Sequence, residues 1–279
     1  MTAILLFFVT PILASQSFSV ESKFSRLSIE SILQYQYFQS ADNEKWKHWM
    51  LEVFKYQDKI NTNNHSQGFS TTYDMDLNQN VNLGFGIGYE KSEPGPMIII
   101  DPKVFLTLDF PVQPDKSLLP KLKFSQIRIR DNGAANTTSD SDRVLILNSI
   151  EAGLGYQKLK SFYFEIGVSK TTTAEGLASR LGLRRTEKIN YSGSAVDSGF
   201  YSKFSFFWNL DHITDLSFQN QKDLVEEASN QTWELAHQIY WSDSFSSQIG
   251  LGLLKSWDAT IQSYQNDTSG RIKLTYSPE

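Results

Sequence analysis

Beyond residue 25 the chain is organised at a period of two. Across Phe69 to Leu77, the residues Phe69, Thr71, Tyr73, Met75 and Leu77 share one face, and Ser70, Thr72, Asp74 and Asp76 share the other. After Asn78-Gln79-Asn80, a turn by composition, Val81, Leu83, Phe85, Ile87 and Tyr89 alternate with Asn82, Gly84, Gly86, Gly88 and Glu90. Alternation held over nine residues predicts a β-strand with one apolar and one polar face. The same pattern returns at Val104–Phe110, Ile146–Tyr156 (interrupted by Asn148), Phe162–Val168, Phe200–Trp208, Trp233–Trp241, Ile249–Leu253 and Ile272–Tyr276. Between Lys121 and Arg130 the phase slips, because Leu122 and Phe124 are even and Ile127 and Ile129 odd. A β-bulge near Ser125 accounts for such a slip. Only residues 222–229 suggest a short helical turn, and no repeat or linker divides the chain, so one all-β domain is expected.

The N-terminus departs from this period. Ala3 to Ala14 is apolar apart from Thr10 and Pro11, too short to span a membrane as a helix and suited to the core of a secretory signal peptide. Ser15-Gln16-Ser17 offers a small-x-small cleavage site, which makes 1–17 a signal peptide and 18–279 the mature domain; cleavage after Ala14 is the competitor. No Lys or Arg precedes Lys23, so the usual basic start is missing, and an apolar first strand is the other reading. The chain has no cysteine, which excludes a disulfide framework and a lipoprotein anchor. A net charge of −5 argues against a nucleic-acid partner.

Three features set the apolar faces outward, toward lipid, rather than inward as in a soluble barrel. Segments of about 9–13 residues suit the ~9–11 tilted residues that cross a bilayer core. The polar faces carry Gly84, Gly86, Gly88, Gly153, Gly155, Gly250 and Gly252 beside Glu151, Glu165, Lys203 and Glu234, small and charged groups suited to a narrow lumen. Aromatic residues close many segments: Tyr37, Tyr56, Tyr89, Phe110, Tyr156, Trp208, Trp241 and Tyr276. Rings at strand ends match the aromatic girdles at membrane interfaces.

On these residues the chain resembles bacterial outer-membrane β-barrel proteins of the medium-sized porin type, as a class and over nearly its whole length. Arg271-Ile-Lys-Leu-Thr-Tyr276 looks like their alternating closing strand, although Ser277-Pro278-Glu279 follow it. The resemblance implies a closed antiparallel transmembrane β-barrel in the bacterial outer membrane. It also implies outer-membrane lipid and the outer-membrane assembly machinery as partners, small solutes as cargo, and no cofactor. Short connections at 78–80, 157–160, 209–212 and 242–244 should alternate with longer ones at 58–66, 131–142, 170–198 and 221–230. That arrangement gives 14 strands if one lies near Phe18–Phe24, if 170–198 holds no further hairpin and if 245–263 is one long strand. Without the strands near 18–24 and 27–38 the count is 12.

The candidate pore-lining charges are Lys121, Lys123, Arg128 and Arg130 on one strand, Glu151, Glu165, Lys203 and Glu234 on later ones, and Arg271 and Lys273 on the last. Inward bases facing acids produce the transverse field of a diffusion pore; the same charges paired across strands would instead plug the barrel. The 170–198 connection, with Arg180, Arg184, Arg185 and Lys188, could constrict or cap it. A porin-like channel for passive diffusion of small hydrophilic solutes is therefore the leading expectation, against a non-conducting structural or adhesive barrel. A lipid-modifying enzyme is the third reading, resting on His65-Ser66, whose adjacency on a strand would point the two side chains apart. His48, His212 and His237 have no second His or carboxylate at ligand spacing, so no metal site is expected.

Overall fold

The computed structural model describes residues 14–26, 28–41, 45–59, 65–93, 97–131, 143–175, 196–209, 211–223, 229–258 and 263–278. They form β1 (Ala14–Ser25), β2 (Ser28–Ala41), β3 (Lys45–Asp58), β4 (His65–Asn78), β5 (Val81–Glu93), β6 (Met97–Leu108), β7 (Phe110–Gln113), β8 (Lys116–Asp131), β9 (Arg143–Lys158), β10 (Phe162–Glu175), β11 (Val196–Phe207), β12 (His212–Asp223), β13 (Ser229–Ser242), β14 (Phe245–Asp258) and β15 (Ser263–Tyr276). Apart from β6 and β7, which do not pair with each other, each strand pairs antiparallel with its chain neighbours, and β15 with β1. β6 and β7 both pair with β8 and make one stave broken at Asp109, which gives fourteen staves.

The ring closes at β1 and β15, where Phe18 faces Tyr276 and Ser25 faces Ser269. Closure leaves no unpaired sheet edge, the condition for a sheet to stand in lipid. Direct pairing of β10 with β11, Thr172 opposite Val196, leaves no strand between them. The stretch 245–263 holds one strand, as expected, although a shorter one: β14 ends at Asp258, and Ser263 already begins β15. β1 starts at Ala14, ahead of the expected mature terminus, and Ser15, Gln16 and Ser17 pair with Phe38, Tyr37 and Gln36.

The side chains are inverted relative to a soluble domain. Phe18, Val20, Leu33, Val53, Phe85, Leu122, Ile166, Leu235, Leu251 and Leu274 are exposed on the outer wall, while Ser19, Glu52, Ser70, Thr72, Glu165 and Ser246 are buried inside. The strand ends on either side of 42–44, 79–80, 114–115, 159–161, 208–211 and 243–244 lie together at one end, here the turn rim. The strand ends on either side of 59–64, 132–142 and 176–195 lie at the other, the loop rim.

Outward aromatics gather at the turn rim: Tyr37, Trp49, Phe110, Tyr156, Trp208, Trp241 and Tyr276. Three indole N–H groups there donate to hydroxyls on the next strand, Trp49 to Thr71 (2.7 Å), Trp208 to Thr214 (2.9 Å) and Trp241 to Ser247 (2.8 Å). A lipid-facing indole thereby keeps its polar edge satisfied.

Two expectations fail near the loop rim. No bulge interrupts β8: it holds one continuous register with β9, Leu122 opposite Ala152 and Arg128 opposite Ile146, and the same register with β6 on both sides of Asp101. Ile127 therefore points inward beside fully buried Leu147. Arg128 lies on the outer wall, where its Nε and Nη2 donate to Gln126 Oε1 at 2.9 and 2.7 Å. Tyr56 also faces inward, on the same side of β3 as buried Glu52 and Phe54, and does not belong to an outward girdle. Both failures have one cause. Above the bilayer core the outer wall meets headgroups and water, so polar side chains suit the outside there, and apolar ones such as Ile32, Phe54, Ile99 and Leu147 pack inside.

Candidate functional site

Among the cavities that the described residues enclose on the inward side, two have different walls. The larger, about 730 Å³, lies in the loop-side half. Seven acids line it (Glu21, Glu30, Glu52, Glu151, Glu165, Glu234 and Asp267) with three bases (Lys23, Lys203 and Arg271). The smaller, about 460 Å³, opens at the turn rim. Its wall is mainly hydroxyl and amide: Ser17, Ser19, Gln34, Gln36, Gln238 and Gln248, with Lys273 as its base and Asp243 as its acid.

Charges in the larger cavity are held along the wall rather than across it. Lys121 on β8 meets Glu165 on β10 at 2.7 Å, reaching past β9, and Lys123 meets Glu151 on the adjacent strand at 3.2 Å. Arg271 on β15 lies 3.6 Å from Glu234 on β13, and Lys23 lies 3.6 Å from Glu21 and 3.9 Å from Glu30. No two of these partners stand on opposite walls. These pairings draw the side chains involved against the sheet.

Glu165 is the most fully coordinated of them. Besides Lys121, it accepts hydrogen bonds from Tyr163 at Oε2 and from Tyr201 at Oε1, the latter 3.0 Å, and Lys121 also donates to the Tyr163 hydroxyl at 2.6 Å. A buried carboxylate is tolerable with this many donors and costly without them. Glycine makes the cluster possible. The Tyr201 ring lies across Gly153 and Gly167, and a Cβ on either would stand only 2.3–2.4 Å from it. Gly84 likewise gives room to the Phe105 ring. Gly84, Gly153 and Gly167 thus seat aromatic side chains from other strands.

Eight of the ten expected lining charges stand on inward faces: Lys121, Lys123, Glu151, Glu165, Lys203, Glu234, Arg271 and Lys273. Lys273 is set apart at the turn side, where its Nζ donates to Gln34 Oε1 at 3.0 Å. Arg128 is outside, as described. The backbone of Arg130 pairs with Ile98 and Val144, and its side chain lies outside the described residues, as do Arg180, Arg184, Arg185 and Lys188. Glu21, Lys23, Glu30, Glu52 and Asp267 were not among the sequence candidates. Their strands have weak alternation, but parity with Phe18 and Val20, or with Trp49 and Val53, places their side chains inside. Tyr201 was signalled only by its place between outward Phe200 and Phe204.

Cross-strand register pairs the histidines in a way that spacing along the chain did not show. His48 Nδ1 lies 2.8 Å from Asp74 Oδ1, with its ring stacked on Phe38. His212 Nδ1 lies 3.2 Å from His237 Nε2 on the outer wall. Among the described residues no three such groups gather at one point. His65 and Ser66 open β4 on opposite faces, with Ser66 buried inward, so they do not form a nucleophile and base.

The geometry defines the class of fold: a closed, antiparallel fourteen-stave β-barrel, apolar outside and charged within. No protein-family model matches the sequence, and no curated protein does. Among solved structures, the chain is similar to an anion-selective porin from Comamonas acidovorans, with 9% identity over 95% of this chain and 99% of that one and a TM-score of 0.52. It is also similar to the outer-membrane channel DcaP of Acinetobacter baumannii, with 8% identity over 95% and 96% and a TM-score of 0.50. At such identities the likeness is one of fold.

Proposed function

We propose that the protein is a porin-like channel of the bacterial outer membrane, admitting small hydrophilic solutes by passive diffusion. The observation that carries this reading is the larger cavity, about 730 Å³ and lined by charges, several of which pair with partners along the same wall. A plugged scaffold would join opposite walls. The apolar outer wall and turn-rim aromatics support membrane insertion, and the neighbours' fold supports the outer membrane. A leader cleaved near Ser17 belongs to the same reading. Insertion would stand the loop rim outward and the turn rim toward the periplasm.

Charge balance extends the reading to the kind of solute. The larger cavity's lining carries seven acids and three bases, and counting Lys121 and Lys123 still leaves two acids in excess. Small cations are therefore favoured over anions there. The anion selectivity in the Comamonas protein's description belongs to that protein.

Swelling of vesicles carrying the refolded protein tests the channel. Uptake of small sugars and amino acids at rates that fall with solute size is the expected result. Vesicles that hold the heat-modifiable, folded barrel yet admit no solute would sink the proposal.

A further inference from the structure

Two histidines from adjacent strands meet on the outer wall at the turn rim. His212 opens β12 opposite Ile239, and His237 on β13 lies two rungs away, opposite Thr214. Diagonal neighbours on one face of a sheet are within reach of ring side chains. Here His212 Nδ1 lies 3.2 Å from His237 Nε2, with the ring centres 5.4 Å apart. Trp208, whose backbone N–H donates to the His212 carbonyl at 3.0 Å, is exposed beside them. The pair therefore sits at the level of the turn-rim aromatics, where water meets the apolar wall.

The hydrogen bonds around the pair have one fixed direction, because an indole only donates. Trp208 Nε1–H goes to Thr214 Oγ1 at 2.9 Å, and the same hydroxyl lies 2.9 Å from His237 Nδ1. When Nδ1–H also donates to that hydroxyl, both of its lone pairs are filled and His237 turns a bare Nε2 toward His212. A single proton then lies between the two facing nitrogens, on His212 Nδ1. Moving it to the Nε2 of the same ring leaves two bare nitrogens facing each other, with no net proton released. A metal-ligating histidine is held in this way, its second N–H given to an oxygen that fixes ring and tautomer.

We propose that His212 and His237 form a cross-strand chelate for one divalent transition-metal ion of the kind imidazole binds, copper or zinc, with Thr214 as its positioning residue. Two imidazole nitrogens on one tetrahedral ion, at bonds of about 2.0–2.1 Å, stand about 3.3 Å apart. The facing nitrogens already stand at 3.2 Å, so closing on an ion takes ring rotation rather than movement of a strand. Among the described residues no third histidine or carboxylate joins the pair, and water at the rim fills the other positions. The ion is therefore exchangeable, unlike a structural centre closed by four protein ligands. Its effect on the fold is to tie β12 to β13 at the turn rim. The inference concerns the outer wall and is independent of what the lumen conducts.

Copper(II), added alone to the untagged, refolded barrel and read by electron paramagnetic resonance, tests the chelate; copper binds nitrogen donors most tightly of the divalent first-row ions. The native protein should take up one equivalent whose spectrum shows two coordinated nitrogens. Thr214→Val should weaken the uptake about tenfold, the loss typical when the partner of a metal-ligating histidine is removed. His212→Ala and His237→Ala should each weaken it further. His48→Ala/His65→Ala, which removes the other two histidines, should keep full uptake. Heat-modifiable migration in detergent gels checks that each variant is folded. The nitrogen count is read on the native protein, so it decides the matter even where a variant fails to fold. One coordinated nitrogen or none overturns the chelate and leaves the channel reading intact, as does uptake lost in His48→Ala/His65→Ala and kept in His237→Ala. Unchanged uptake in folded Thr214→Val overturns the role given to Thr214.

Discussion

The two halves of the lumen are built on the same strands and differ only by steps of two residues. β13 carries Glu234 in the loop-side cavity and Gln238 in the turn-side one; β2 passes from Glu30 to Gln34 and Gln36, and β15 from Arg271 to Lys273 and Thr275. One half is a layer of paired charges with acids in excess, and the other is a neutral mouth of amides and hydroxyls. On the channel proposal, the first half would set selectivity and the second would give access. Two jobs of a buried charge would then be separate, since Glu165 is held by its donors, whereas the acid excess would act on an entering solute.

Reversing the acid excess should have the largest effect. The triple variant Glu52→Lys/Glu234→Lys/Asp267→Lys is expected to lower the cation-to-anion permeability ratio about tenfold or more and turn the channel toward anions, because several unit charges act at short range in a confined space. Reversal potentials in a salt gradient check it. An unchanged sign would place selectivity outside this layer.

Breaking the Glu165 cluster comes next. Lys121→Met leaves a largely buried carboxylate without its cation and should cost about 1–3 kcal/mol, discounted for the partial exposure of the lysine. Gly167→Ala removes the seat of the Tyr201 ring and should cost a comparable ~1–3 kcal/mol through overpacking. Urea unfolding of the barrel in vesicles measures both.

The neutral half should respond least. Gln34→Ala removes the acceptor of Lys273 (3.0 Å) and Ser19 (3.2 Å), for a loss of about 1 kcal/mol with little change in selectivity. If its reversal potential moved as far as that of the acid-reversed variant, the division between the halves would be wrong.

The parts of this arrangement legible in the sequence are those within the bilayer core, where lipid forces strict alternation. The runs Phe69–Leu77 and Val81–Tyr89 predicted β4 and β5 and their inward glycines, because each apolar side chain there has only lipid to face. Alternation lost its meaning toward the loop rim. Ile127 and Leu147 face in and Gln126 and Arg128 face out, since the outer wall has left the hydrocarbon, and a bulge was the wrong explanation for that change of environment. The charges of β1 to β3 were missed for another reason. Their strands are interrupted by inward apolar residues, Ile32 and Phe54, which blur the period. Contacts across strands, such as Lys121 with Glu165 or His212 with His237, depend on a register that no spacing along one segment encodes.

Single-channel recording across a planar bilayer, with the refolded native protein in a potassium chloride gradient, tests the central claim most directly. A cation-favouring channel predicts discrete unitary steps and a reversal potential displaced toward that of potassium. Folded, inserted protein that gives no steps, or steps that reverse toward chloride, would contradict it.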